Sequence, residues 1–251
     1  MNIKMFKSIP KILRSKRLPL NECESDREEV EQMVCLARTY QQLLMEISNG
    51  KKKAEELLQL LSALTLDENY HLALRNVDYG TNDIGDNAWL YCYEGSCEQK
   101  YKPYCKFDRT KWPNDFLDQS YEVFYHLSIE KSVMGAWQAY LLSVASTMLP
   151  YIWHGGYFSR RYLLTQEDID NLPPVMHYFP SLGRKKISVE GEISPKVWFK
   201  GDNAYVSCCY WNNWKGVVYE TIVFKYDERR IISGKRLEDK ILYKYFNPMR
   251  Y

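Results

Sequence analysis

Twenty-eight consecutive residues, Ser132 to Ser159, contain no Asp, Glu, Lys or Arg. A run of that length has to be shielded from water, and how it is shielded decides what the rest of the chain can be. Ser132 is placed to cap a helix and Pro150 to end it, which predicts seventeen helical residues from Val133 to Leu149. A membrane span needs about twenty apolar residues. Here Gln138, Ser143, Ser146 and Thr147 dilute the apolar character further, and no basic cluster or second span accompanies the segment. The expected structure is a buried helix laid against a sheet. Gly135, Ala139 and Ser146 form a narrow stripe of small side chains on it, which would permit close approach of a neighbour.

The flanking sequence supplies the rest of an α+β fold, expected as an N-terminal helical hairpin packed on a mainly antiparallel sheet with a C-terminal β-meander. Ser25-Asp26-Arg27-Glu28 reads as a capping box. It opens a helix in which Val30, Met33, Val34, Ala37, Tyr40, Leu44 and Ile47 recur at helical spacing up to Asn49-Gly50. A second helix is expected from Lys51 to about Leu64. Strands are expected at Tyr70–Val77, Ala88–Tyr93 and, from the alternation of Tyr121, Val123, Tyr125, Leu127 and Ile129, over Tyr121–Glu130, with Phe124 out of pattern. Tyr157–Leu164 reads as a further strand, and Thr165-Gln166-Glu167-Asp168 opens a short helix.

The meander is expected to run through 186–190, 196–200, 204–211, 217–226, 230–233 and 241–245, with turns at Gly201-Asp202-Asn203, 212–216 and Asp227-Glu228-Arg229. Val218, Ile222, Phe224 and Tyr226 give one strand a buried face, interrupted only by Glu220. The expected organisation is a basic arm over 1–20, a helical hairpin over 21–66, and an α+β body over 67–251.

Six basic residues lie in Met1–Leu20, leaving 28 basic and 32 acidic side chains in the remaining 231 residues, a net of −4. That balance disfavours nucleic-acid binding by the body. The arm itself, broken by six basic residues and two prolines, does not read as a secretory h-region, so a cytoplasmic setting with reduced thiols is expected. Seven cysteines offer no metal signature: Cys92-x4-Cys97-x7-Cys105 lacks paired short spacings, and the neighbours Cys208 and Cys209 point to opposite faces of a strand. No metal and no cofactor is expected.

Signatures of the common catalytic classes, from the phosphate-binding loop to G-x-S-x-G, are missing from the sequence, and no catalytic residue stands out. The chemically dense stretches are instead aromatic and basic. Trp153, His154, Tyr157, Arg160 and Arg161 crowd together in sequence, and Trp211 and Trp214 flank a turn with Lys215. Aromatic rings beside guanidinium groups suit the gripping of an acidic partner. The expectation is a non-catalytic, cytosolic protein-binding protein of the inhibitor or toxin-immunity kind, its partner another protein. The alternative is a hydrolase or transferase with a dispersed site near His154 and Arg160.

Overall fold

The computed structural model describes residues 24–48, 50–78, 87–95, 104–106, 121–147, 160–172, 175–176, 184–185, 187–189, 191, 193–212 and 215–244. Among them, α1 (Arg27–Ser48), α2 (Glu56–Leu60), α3 (Tyr121–Tyr125), α4 (Val133–Thr147) and α5 (Gln166–Asp170) accompany strands β1 (Leu64–Leu66), β2 (Tyr70–Asp78), β3 (Asn87–Glu94), β4 (Tyr104–Lys106), β5 (Leu127–Ile129), β6 (Arg161–Leu163), β7 (Val175–Met176), β8 (Arg184–Lys185), β9 (Lys196–Lys200), β10 (Asn203–Asn212), β11 (Gly216–Asp227) and β12 (Arg230–Lys244). The fold is α+β, with an N-terminal helix and a C-terminal antiparallel meander.

Helix α4 is the described part of the uncharged segment, and residues 132–143 are all shielded from solvent. Residues 148–159, including the expected last helical positions, lie outside the described residues. A helix without a polar stripe has to be wrapped all round. Here α1 lies along one flank, β9 and β10 along another and β3 along a third. Several polar atoms at α4 are tethered to the surrounding chain, although Gln138 Nε2 is buried without a hydrogen-bond partner among the described residues. Trp137 Nε1 donates to the Met33 carbonyl at 3.0 Å, the Tyr40 hydroxyl donates to the Leu141 carbonyl at 2.8 Å, and Gln138 Oε1 accepts from Ala63 N at 2.8 Å. No helix among the described residues is long and apolar enough to cross a membrane.

The main sheet runs β12-β11-β10, and β6 and β9 lie end to end along the free side of β10. Side chains alternate between two faces. The inner face, formed by Val197, Phe199, Ala204, Val206, Cys208, Tyr210, Val218, Ile222 and Phe224, joins α1, α4 and the β2–β3 hairpin in one core. On the outer face a second, smaller core gathers Leu163, Cys209 and Val217 under Ile169, Leu172, Ile187 and Ile193. Cys208 and Cys209 therefore enter different cores, as strand alternation requires.

Several local expectations are corrected. The helix start is capped one residue later than the sequence pattern suggested: Glu29 N donates to Asp26 Oδ1 at 2.9 Å and Asp26 N to Glu29 Oε2 at 3.1 Å. Ser25 is engaged elsewhere, its amide donating to the Val197 carbonyl at 2.8 Å and its Oγ accepting from Val197 N, so the chain entry adds to the edge of β9. The second helix shrinks to α2, because Leu64 is drawn into β1 by pairing with Ile129 of β5.

Tyr121–Glu130 splits into α3 and β5. Val123 and Phe124, adjacent in sequence, are both buried while Tyr125 is 63% exposed, an arrangement that a helix allows and strand alternation forbids. Residues 187–189 are not in a strand. The two expected strands at 230–233 and 241–245 are one strand, β12, whose Gly234 and charged middle resemble a turn in sequence. Three register shifts against β11 let it continue, and Ile232, Leu237 and Leu242 are the residues passed over.

Gly135, in the first turn of α4, is closely approached by the residues that lead into the helix and not by a neighbouring element. A Cβ there would overlap the Glu130 carbonyl oxygen and crowd Ser132 Oγ, which caps the helix by accepting from Gly135 N at 3.0 Å. Helix propensity alone would make Gly135→Ala stabilising by about 1 kcal/mol. Overpacking against backbone reverses the sign, and we expect a loss of about 3 kcal/mol in urea denaturation. A neutral or stabilising result would show that the approach is looser than described.

Candidate functional site

The interruption that Glu220 makes in the buried face of β11 is the centre of a charged cluster. Its side chain is 0% exposed. Arg160, at the entry to β6 and only 11% exposed, donates from Nη1 to Glu220 Oε1. The Tyr140 hydroxyl of α4 donates to the same oxygen at 2.8 Å. Arg236 of β12 brings Nε to 3.3 Å from Oε2, at ion-pair distance but without hydrogen-bond alignment. Beyond it, Arg236 Nη1 lies 3.8 Å from Asp239 Oδ2, and Lys215 Nζ donates to that same carboxylate oxygen. The Arg160 guanidinium also lies 4.4 Å above the Tyr210 ring.

Burial opposes the charge on Arg160, but Glu220 and the surrounding tyrosine rings outweigh it and hold its pKa above the usual arginine value. The nearby hydroxyls and thiol respond to the same environment. Burial first, with Cys208 and Glu220 adding repulsion, pushes Tyr140 well above the ordinary tyrosine value, and Tyr162 and Cys208 are raised likewise by burial. Burial raises Cys209 to about 12. Neither thiol is poised as a nucleophile, since a thiolate is required and both sites disfavour it. The cluster's chemistry is that of a neutralised interior charge joining α4, β6, β11 and β12.

The outer face of the same sheet is different. Register sets Trp211 opposite Arg161 of β6, and Trp198 of β9 opposite Tyr205 of β10. The Trp198 and Tyr205 rings stack at 5.1 Å with planes 8° apart, both half-buried. Ser207 and Thr221 bond to each other at 2.8 Å in the floor beside them. On the same face stand Lys200, Lys225, Lys235 and Lys240, all exposed. Lys225 is close enough to Asp202 to help lower its pKa, behind the larger effect of Lys131. Lys200, Lys235 and Lys240 have no ion-pair partner among the described residues.

Of the residues singled out from sequence, Trp153, His154, Tyr157 and Trp214 lie outside the described residues. Arg160 and Arg161, neighbours in the chain, go to opposite sides of the sheet: Arg160 into the core, Arg161 to the exposed outer face beside Trp211. The Trp198–Tyr205 pair was not singled out, although the hairpin turn at Gly201-Asp202 contains the signal, because pairing Lys200 with Asn203 fixes Trp198 opposite Tyr205. No group of three or more His, Cys, Asp or Glu among the described residues is arranged to hold a metal ion. Comparison with known proteins finds no match, whether to a family model, a curated protein or a solved structure.

Two outcomes follow from the buried cluster. Removing one partner leaves a buried charge uncompensated, at a cost of about 3–5 kcal/mol, whereas removing both together costs less than the sum. Glu220→Leu, Arg160→Leu and the double variant, compared by urea denaturation, should show a coupling of about 2 kcal/mol. Strict additivity would mean that the two side chains do not act as a pair.

The second outcome concerns alkaline pH. Tyr40, Tyr140, Tyr162, Cys208 and Cys209 all have folded pKa values raised by burial. In the unfolded chain cysteine ionises near about 8.5 and tyrosine near about 10. Above those values the unfolded state binds fewer protons than the native one, so stability is complete below about pH 8.5 and falls as pH rises beyond it. The urea midpoint should drop steadily between about pH 9 and 11, with tyrosinate absorbance appearing in step with unfolding. Tyrosinate formation by all the tyrosines while the fold persists would contradict the burial described.

Proposed function

We propose that this chain is a non-catalytic cytosolic protein-binding protein, of the inhibitor or toxin-immunity kind, that grips an acidic protein partner through the outer face of its main sheet. The observation that carries the reading is the half-buried Trp198–Tyr205 stack on a face shared with Lys200, Lys235 and Lys240, which have no ion-pair partner among the described residues. Large amphipathic rings held rigid by stacking offer contact area at little entropic cost, and tryptophan and tyrosine are among the residues that dominate binding energy. The exposed lysines on that face add electrostatic complementarity to an acidic surface, which affects encounter rate and partner choice.

The Arg161–Trp211 pair extends the same face toward β6. Arg161 is exposed and has no ion-pair partner among the described residues, so it can meet carboxylates bidentately, whereas Arg160 is engaged by Glu220. The net charge of −4 beyond residue 20 favours a protein over a nucleic acid as the acidic partner.

Affinity capture from the source cells, followed by binding measurement with the purified partner, tests this. Trp198→Ala should weaken binding by about thirtyfold, equivalent to about 2 kcal/mol. Lys200→Glu with Lys235→Glu should slow association and flatten its salt dependence. Thermal melts of both variants separate lost binding from lost folding. Absence of a specific partner, or a partner bound equally well by both variants, would remove the reading.

A further inference from the structure

A groove of about 540 Å³, which shares no lining residue with the outer face of the main sheet, lies between the α1–α2 connection and the end of the β2–β3 hairpin. Among the described residues Lys52, Lys53, Glu55, His71, Tyr93 and Gly95 supply its polar and aromatic lining, and Ala73 and Leu72 its apolar floor. That size falls within the range that holds small molecules.

Its walls are built with a definite geometry. Hairpin register sets His71 directly opposite Tyr93, and the two rings stack with centroids 5.4 Å apart. From the facing wall the Glu55 carboxylate reaches His71 Nδ1 at 3.1 Å. A carboxylate is only an acceptor there, so Nδ1 carries the proton and Nε2 is the ring atom left for another partner.

Among the described residues, Gly95 keeps the approach to Nε2 open: a Cβ at that position would stand 3.1 Å from Nε2 and 3.4 Å from the Asn69 carbonyl oxygen. A histidine serving only to tie two walls together would not need that opening. The lysines complete the picture. Lys52 is neutralised by Glu56 at 2.7 Å, while the ammonium of Lys53 has no ion-pair partner among the described residues.

We propose that this groove binds a small anionic molecule with a planar ring, the ring lying against Tyr93 and its phosphate or carboxylate oxygens held by Lys53 and His71 Nε2. The Tyr93 ring, stacked on His71 in the groove wall, is the aromatic neighbour for the ligand's ring. Lys53 provides the charge, and Glu55 steadies the histidine as its second ring nitrogen turns donor to the anion. The site is separate from the outer face of the main sheet and stands or falls independently of partner binding there.

Phenyl phosphate, with phenol and inorganic phosphate as comparisons, is the probe, and amide and side-chain NMR shifts of the full chain are the readout. Phenyl phosphate should bind saturably, with a dissociation constant on the order of millimolar, and should shift the His71, Tyr93 and Gly95 signals together. Phenol should bind about tenfold more weakly for want of charge, and inorganic phosphate should bind more weakly for want of the ring. Lys53→Ala, an exposed change that leaves the fold untouched, should weaken phenyl phosphate about fivefold or more, and Gly95→Ala should do the same by closing the approach to Nε2. A spectrum that does not saturate, phenol binding as tightly as phenyl phosphate, or full affinity in Lys53→Ala would each overturn the proposal.

Discussion

A carboxylate placed in the middle of an apolar sheet face cannot be left alone, because an isolated ionised group in that environment costs several kcal/mol. Glu220 is that group, and the elements around it are arranged to answer it. Tyr140 reaches down from α4, Arg160 reaches in from the entry to β6, and Arg236 reaches across from β12. The central helix, both flanks of the sheet and one bulged edge strand are thus held in mutual register by one charge. Apolar packing alone would let α4 slide along the sheet, since dispersion contacts are individually weak and non-directional. Together with the hydrogen bonds of α4 to Met33, Tyr40 and Ala63, the cluster adds a directional component.

That same arrangement divides the sheet into two faces with different roles. The inner face is occupied by the core and its paired charges, so its arginines are engaged within the molecule. The outer face is closed at one end by the small core under α5 and shows rings and lysines at the other. Edge strand β12 carries Lys235, Lys240 and Lys244 and is bulged three times against its neighbour, features that discourage edge-to-edge pairing with other chains.

How much of this was legible beforehand differs from one element to the next. The wrapped helix α4 was readable because a long uncharged run has few ways to exist in water, and its serine cap is a local signal. Strands β9, β10 and β11 were readable because hairpin turns and alternation act over short distances. Segment 121–130 misled because alternation over a few residues is compatible with a helix whose buried face is set by its surroundings, and Phe124 was the residue that disagreed. The length of β12 was hidden because bulges imitate turns in sequence. Arg161 and Trp211 stand out in the sequence one by one, but their opposition across β6 and β10 does not, and neither does the stacking of Trp198 on Tyr205.

The sequence by itself determined that α4 would be interior, that Cys208 and Cys209 would part to opposite faces, and that Glu220 would break a buried row, since each follows from solvent aversion and from the repeat of helix or strand. Only the tertiary structure decided that Arg160 would turn inward to Glu220 while Arg161 turned outward to Trp211, and that His71 would meet Glu55 across a groove. Those pairings join residues separated by as many as 60 positions, as Arg160 and Glu220 are. Local propensity carries no information about which distant charge will be the partner, because that choice is made by the packing that brings the elements together.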